Sequence, residues 1–82
     1  MKLINIGLDN FVSGEKIVAV VSPDAAPIKR MIQKAKEDMK LIDASSGRKT
    51  RSVIFTENDQ IILSCLTVES IKQRTSEEDI NE

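Results

Sequence analysis

The sequence has no histidine, no tryptophan and no tyrosine, and a single cysteine among its 82 residues. Each absence removes a class of chemistry. Without histidine the commonest general base is missing, and Ser–His or Cys–His activation of a nucleophile is impossible. Cys65 alone excludes an intrachain disulfide, and one cysteine without histidine cannot supply a zinc site of four nitrogen and sulfur ligands. Cys65 lies between Ser64 and Leu66 in an apolar stretch, where a buried, inert thiol is expected. Phe11 and Phe55 are the only aromatics, so base stacking on single-stranded nucleic acid has almost no platform. Gly7 and Gly14 have no third glycine nearby and no following Lys-Ser or Lys-Thr, so neither nucleotide-binding glycine loop is formed. No apolar run approaches the roughly 18 residues that would span a bilayer. The start, Met1 to Gly7, is too short and interrupted for a signal peptide. A cytoplasmic protein with no membrane partner, no cofactor, no metal and no small-molecule substrate is expected.

What is present is charge placed in blocks. The net formal charge is −1, yet from Lys29 to Arg51 eight bases face three acids, a local charge of +5. The densest block is Gly47-Arg48-Lys49-Thr50-Arg51. Residues 76–82 carry Glu77, Glu78, Asp79 and Glu82 with no base. Local basicity on a near-neutral chain is the electrostatic footprint of a surface that meets phosphate, and the bland counterpart is a solvated face.

The elements follow from periodicity. Leu3–Leu8 is predicted to be a strand closed by the turn-forming Asp9-Asn10, and Phe11–Gly14 a connection. Lys16–Val21 carries a continuous β-branched run and is predicted to be a strand. Being apolar on both faces, it needs cover on both: one from a helix, the other from a second copy of the chain. Ser22 to Pro27 starts a helix, with prolines tolerated only in its first turn. Ile28, Met31, Ile32, Ala35 and Met39 then form one apolar stripe, which assigns both methionines to the core. Leu41–Ala44, Arg51–Thr56 and Ile61–Leu66 read as three further strands. Val68–Arg74 reads as a short helix with Thr67 as its N-cap. The expected architecture is α+β, a small, mostly antiparallel sheet with one main amphipathic helix and a short C-terminal helix. Residues 1–75 form a single domain and 76–82 an acidic disordered tail.

The basic residues supply the candidate site. Arginine offers planar bidentate donors to phosphate and lysine a mobile point charge. A turn at Gly47 fans Arg48, Lys49 and Arg51 outward, with Ser46 and Thr50 hydroxyls available as neutral contacts. Arg30, with Lys29, Lys34 and Lys36, makes a second patch on the helix; for Lys36 and Lys40 solubility is the favoured role. About three phosphate contacts per chain bind weakly, and an oligomer multiplies them. Two rival readings stand beside DNA binding. One is a structural or adaptor homo-oligomer whose cations meet an acidic protein or neighbouring subunits. The other is a metal-dependent enzyme acting through Asp43 and Asp59; Asp43 alternatively pairs with Arg51.

Ser22-Pro23, Ala26-Pro27-Ile28-Lys29-Arg30-Met31-Ile32, Leu41-Ile42-Asp43-Ala44, Gly47-Arg48-Lys49-Thr50-Arg51 and Val53-Ile54 occur in an order and spacing that resemble the RemA family. These are small bacterial extracellular matrix regulatory proteins. Ile4-Asn5-Ile6-Gly7 and Ile62-Leu63-Ser64 extend the resemblance over about residues 3 to 74. It implies a non-enzymatic transcriptional regulator that binds double-stranded DNA, assembles into ring-like homo-oligomers and activates biofilm-matrix genes. Carried over by position, Arg48, Lys49 and Arg51 match the family's basic turn and form the main DNA-contacting set; Arg30 of the helix patch and Lys16 complete the candidate set as secondary members. Glu15-Lys16 stands where Asn-Arg is common in the family, and lysine cannot reproduce a bidentate arginine contact. Ser46 stands where an aromatic residue is common.

Overall fold

The computed structural model describes residues 2–80, with the side chains of 76–80 left out of the description. A β-hairpin opens the chain: β1 (Leu3–Gly7) pairs antiparallel with β2 (Asn10–Ser13). A single 3₁₀ turn over Gly14–Lys16 leads into β3 (Ile17–Val21), followed by α1 (Ala26–Glu37). Next come β4 (Leu41–Asp43), β5 (Ser52–Thr56), β6 (Ile61–Ser64) and α2 (Val68–Ile80). The main sheet has the order β3-β5-β6-β4, antiparallel except for the parallel β4–β6 pair. The α+β class and the mostly antiparallel sheet are as the sequence indicates.

Four elements differ from the sequence reading. Phe11–Ser13 belongs to a strand rather than a connection, because Leu8 (φ 54°) and Asp9 (φ 63°) both take left-handed backbone and fold the chain straight back. That pair of positive φ values suits the right-handed twist of a two-residue hairpin. Asn5 Oδ1 accepts from the Gly7 amide at 2.7 Å, and the Asn10 side-chain amide donates to the Gly7 carbonyl at 3.1 Å, fixing the turn. β6 stops at Ser64, so Cys65 lies beyond the strand and is half-buried. α1 stops at Glu37 with Asp38 as its C-cap. The amide of Lys40 then donates to the Ala35 carbonyl at 2.8 Å and that of Met39 to Lys36 at 3.2 Å, while Met39 itself is left-handed at φ 59°. This is the paired-bond helix ending that normally employs glycine. Met39 is therefore outside the helical period and 92% exposed, not core, and Met31 lies at the flank of the stripe, 44% exposed. Finally, α2 continues past Arg74: its backbone is helical to Ile80, over the first five positions of the expected tail. Residues 81 and 82, and the acidic side chains from 77 on, lie outside the described residues.

Both faces of the central strands β5 and β6 are covered by the chain itself. On one face Val53, Ile61 and Leu63 pack against Ala35, with Ile28 and Ile32 of α1 closing the cluster. On the other, Ile54 and Ile62 pack with Ile4 and Ile6 of β1 and Ile71 of α2. The second layer, expected from another copy, is thus the amino-terminal hairpin and α2. Alternation along β5 and β6 produces this: odd-numbered residues face α1 and even-numbered ones face the hairpin. β3 remains a sheet edge, with Val18 67% exposed at an irregularity between Ile17 and Ala19. Among the described residues no helix is long and apolar enough to cross a membrane.

Candidate nucleic-acid interface

The basic turn is held at both ends by β6. The Ala44 amide donates to the Leu63 carbonyl and the Arg51 amide to the Ser64 carbonyl, each at 2.9 Å. Between these anchors Asp43 Oδ1 accepts from the amide of Ser45 at 2.9 Å and from the Ser45 hydroxyl. Ser45 is buried, and its carbonyl accepts from the Arg48 amide at 3.0 Å. Ser46 (φ 52°) and Gly47 (φ 82°) are left-handed in succession, reversing the chain so that Arg48 and Lys49 project outward. Nothing lies within 4 Å of where a Gly47 Cβ would stand, so the tip of the turn is open.

Arg48, Lys49 and Arg51 line one concavity of about 340 Å³ with Cys65 and Leu66. All three are exposed, and none takes part in an ion pair among the described residues. The floor is buttressed by the hairpin, since Gly7 approaches Cys65 Sγ and Leu66 closely enough that an added Cβ would come within 3.2 Å of each. Ser64 completes the support: its hydroxyl donates to the Ile6 carbonyl at 2.7 Å and accepts from the Leu66 amide at 3.0 Å. Sequence reasoning missed that Cys65 and Leu66 belong to this site; no residue pattern marks where β6 ends.

The other two candidate cations are elsewhere. Lys16 Nζ donates to Glu57 Oε1 at 2.7 Å, and that hydrogen bond and the Glu57 charge raise its pKa, with Glu15 adding a smaller push. Glu57 follows β5 and Arg51 precedes it. The six residue steps from Arg51 to Glu57, at about 3.3 Å each, therefore put Lys16 roughly 20 Å from the turn. Arg30 lies on α1, in a separate groove shared with Lys34 and Lys40. Within one chain, then, Arg48, Lys49 and Arg51 converge, while Lys16 and Arg30 do not join them.

The acids are also dispersed. Asp43 carries a pKa lowered by its two bonds from Ser45, the hydroxyl first and the amide second, with a small opposing push from desolvation. It makes no ion pair with Arg51 among the described residues. Asp43 pairs in register with Leu63 at one end of β6, whereas Asp59 precedes Ile61 at the other. The geometry does not assemble them into one carboxylate pair.

The sequence profile of the RemA-like family, described as extracellular matrix regulatory protein A-like, matches residues 3–75. Relatives match over nearly their whole length. A protein of Halothermothrix orenii is 53% identical over 81 residues, covering 99% of this chain and 96% of the relative. One of Alkaliphilus metalliredigens is 54% identical over 81 residues, covering 99% and 87%. One of Clostridium botulinum is 52% identical over 86 residues, covering 100% and 94%. All three are provisionally named as regulatory proteins.

Proposed function

Since the chain belongs to the RemA-like family, we propose that it is a non-enzymatic transcriptional regulator that binds double-stranded DNA through Arg48, Lys49 and Arg51. The observation that carries this reading is the convergence of three exposed cations on one concavity, at a turn fixed by backbone bonds to β6. Arginine and lysine in such a setting neutralise phosphate without reading sequence, and binding then falls steeply with salt. Three contacts contribute a slope of about −2.7 in log affinity against log salt for each engaged copy. A ring-like homo-oligomer in the cytoplasm, laying DNA against repeated turns, supplies the remaining affinity through effective concentration. Regulation of biofilm-matrix genes is the role that family membership suggests. With few other groups able to read base edges, discrimination rests mainly on DNA bendability.

Arg51→Ala is expected to weaken binding to a long duplex about tenfold and to reduce the salt slope by about one, with oligomer mass unchanged. Gel-shift titration across a salt series, with light scattering on the same samples, measures both. Unchanged affinity would remove the turn from the interface, and loss of the oligomer would make it a subunit contact.

A further inference from the structure

A recess of about 550 Å³ runs along α1, apart from the basic turn. Sites for small molecules are typically about 300–1,000 Å³, apolar over most of their lining, with a few charged or polar groups that fix orientation. The floor here is Met31, Ala35 and Ile61. Ala35 and Ile61 are buried members of the core cluster on the α1 face, so the core itself holds the floor in place. Met31 is exposed, and its unbranched, polarisable thioether adapts to an aliphatic neighbour.

The rim carries Arg30, Lys34 and Lys40 against Asp38 and Asp59, a surplus of one positive charge. Lys34 leans toward Asp38 at 3.6 Å, whereas Arg30 and Lys40 take part in no ion pair among the described residues. This differs in kind from the basic turn, whose concavity holds three cations and no acid. A polyanion suits the turn. In the α1 groove it would meet two carboxylates, and the apolar floor would offer its phosphates no partner.

We propose that the α1 groove binds a small organic anion with one negative charge and an aliphatic body, the chemistry of a medium-chain carboxylate. The planar fork of the Arg30 guanidinium takes the carboxylate in a bidentate, charge-assisted contact. The aliphatic chain lies along Met31, Ala35 and Ile61 and is withdrawn from water. One surplus charge is matched by a monoanion; a neutral amphiphile leaves Arg30 unpaired, and a cationic one adds to the imbalance. Arg30 thereby has a role of its own, which does not depend on DNA being the partner of the turn.

Calorimetric titration of the full-length protein with octanoate at about pH 8, where the carboxylate is fully ionised, reads the affinity. Octanol and octyltrimethylammonium carry the same chain with no charge and with the opposite charge. Photo-crosslinking with a diazirine-bearing octanoate, followed by peptide mapping, reads the place. Saturable binding of one octanoate per chain is expected, about tenfold tighter than octanol, with crosslinks on α1. Arg30→Gln should weaken octanoate about fivefold while leaving octanol unchanged, and Met31→Gln should weaken both. Both positions are exposed on α1, and an unchanged urea midpoint shows that each variant is folded. If a variant does not fold, the charge series and the crosslinks on the wild type decide alone. No saturable binding, equal binding of octanol or octyltrimethylammonium, an Arg30→Gln chain that binds as the wild type does, or crosslinks away from α1 would each overturn the site.

Discussion

Ser52 is the most telling single residue outside the site. It is fully buried in β5, and among the described residues its hydroxyl is the one buried side-chain polar atom without a hydrogen-bond partner. A desolvated, unpaired hydroxyl is a standing cost, so Ser52→Ala should raise stability by about 1 kcal/mol in urea unfolding. A loss of stability would mean the hydroxyl has a partner in solution. Asp43 works the other way. Its folded pKa lies below the ordinary value of 3.8, so its bonds to Ser45 stabilise the fold above that pH and are lost as pH falls through the lowered value. Asp43 is largely exposed, which keeps the effect small. Asp43→Ala should therefore lower the melting temperature at pH 7 and converge with the wild type in strong acid. A gap that persists at low pH would assign the loss to packing instead. The exposed Lys16–Glu57 pair belongs to the class of ion pairs that contribute little.

Elements were legible where one residue type dictated geometry. The β-branched run of β3, the proline-led start of α1 and Thr67 as the α2 cap all follow from local chemistry, and the Ser70 amide indeed donates to Thr67 Oγ1 at 3.1 Å. The hairpin was not legible, because Leu8 and Asp9 occupy a turn that usually advertises itself with Asn-Gly. Met39 was misread for a related reason. Its three- and four-residue spacing continues the stripe on paper, but the helix ends two residues earlier, at Glu37, and Met39 takes the left-handed position normally given to glycine. Met39→Gly relieves that strain and removes an exposed apolar side chain. It should stabilise the protein by about 0.5–1 kcal/mol in urea unfolding, with no change in the slope of the transition. A destabilised variant would show that the Met39 side chain has a partner surface. The candidate site divided along the same line. The turn could be read from five consecutive residues, whereas the separation of Lys16 and Arg30 from it depends on strand direction and layer.

At the scale of the molecule, the central strands β5 and β6 take their cover from the chain itself. A strand apolar on both faces does need cover on both, but sequence alone cannot say whether that cover comes from the chain or from a neighbour. Here Ile4, Ile6 and Ile71 cover Ile54 and Ile62 of the neighbouring strands, while β3 itself has no buried residue and leaves Val18 67% exposed. Ile71→Ala should consequently cost about 3 kcal/mol, and the cost should be the same at low and high protein concentration. A loss that shrinks as concentration rises would place a partner on that face after all. The basic turn is tied to the sheet by its backbone. Its two flanking amides, Ala44 and Arg51, bond to the carbonyls of Leu63 and Ser64 in the most buried strand. Their hydrogen exchange should therefore be slow, opening only when β6 opens rather than with ordinary loop motion. A turn ordered before it meets an anion has little left to fold. The heat-capacity change on binding should then report only the surface brought into contact, without the larger negative contribution of a segment that orders on arrival.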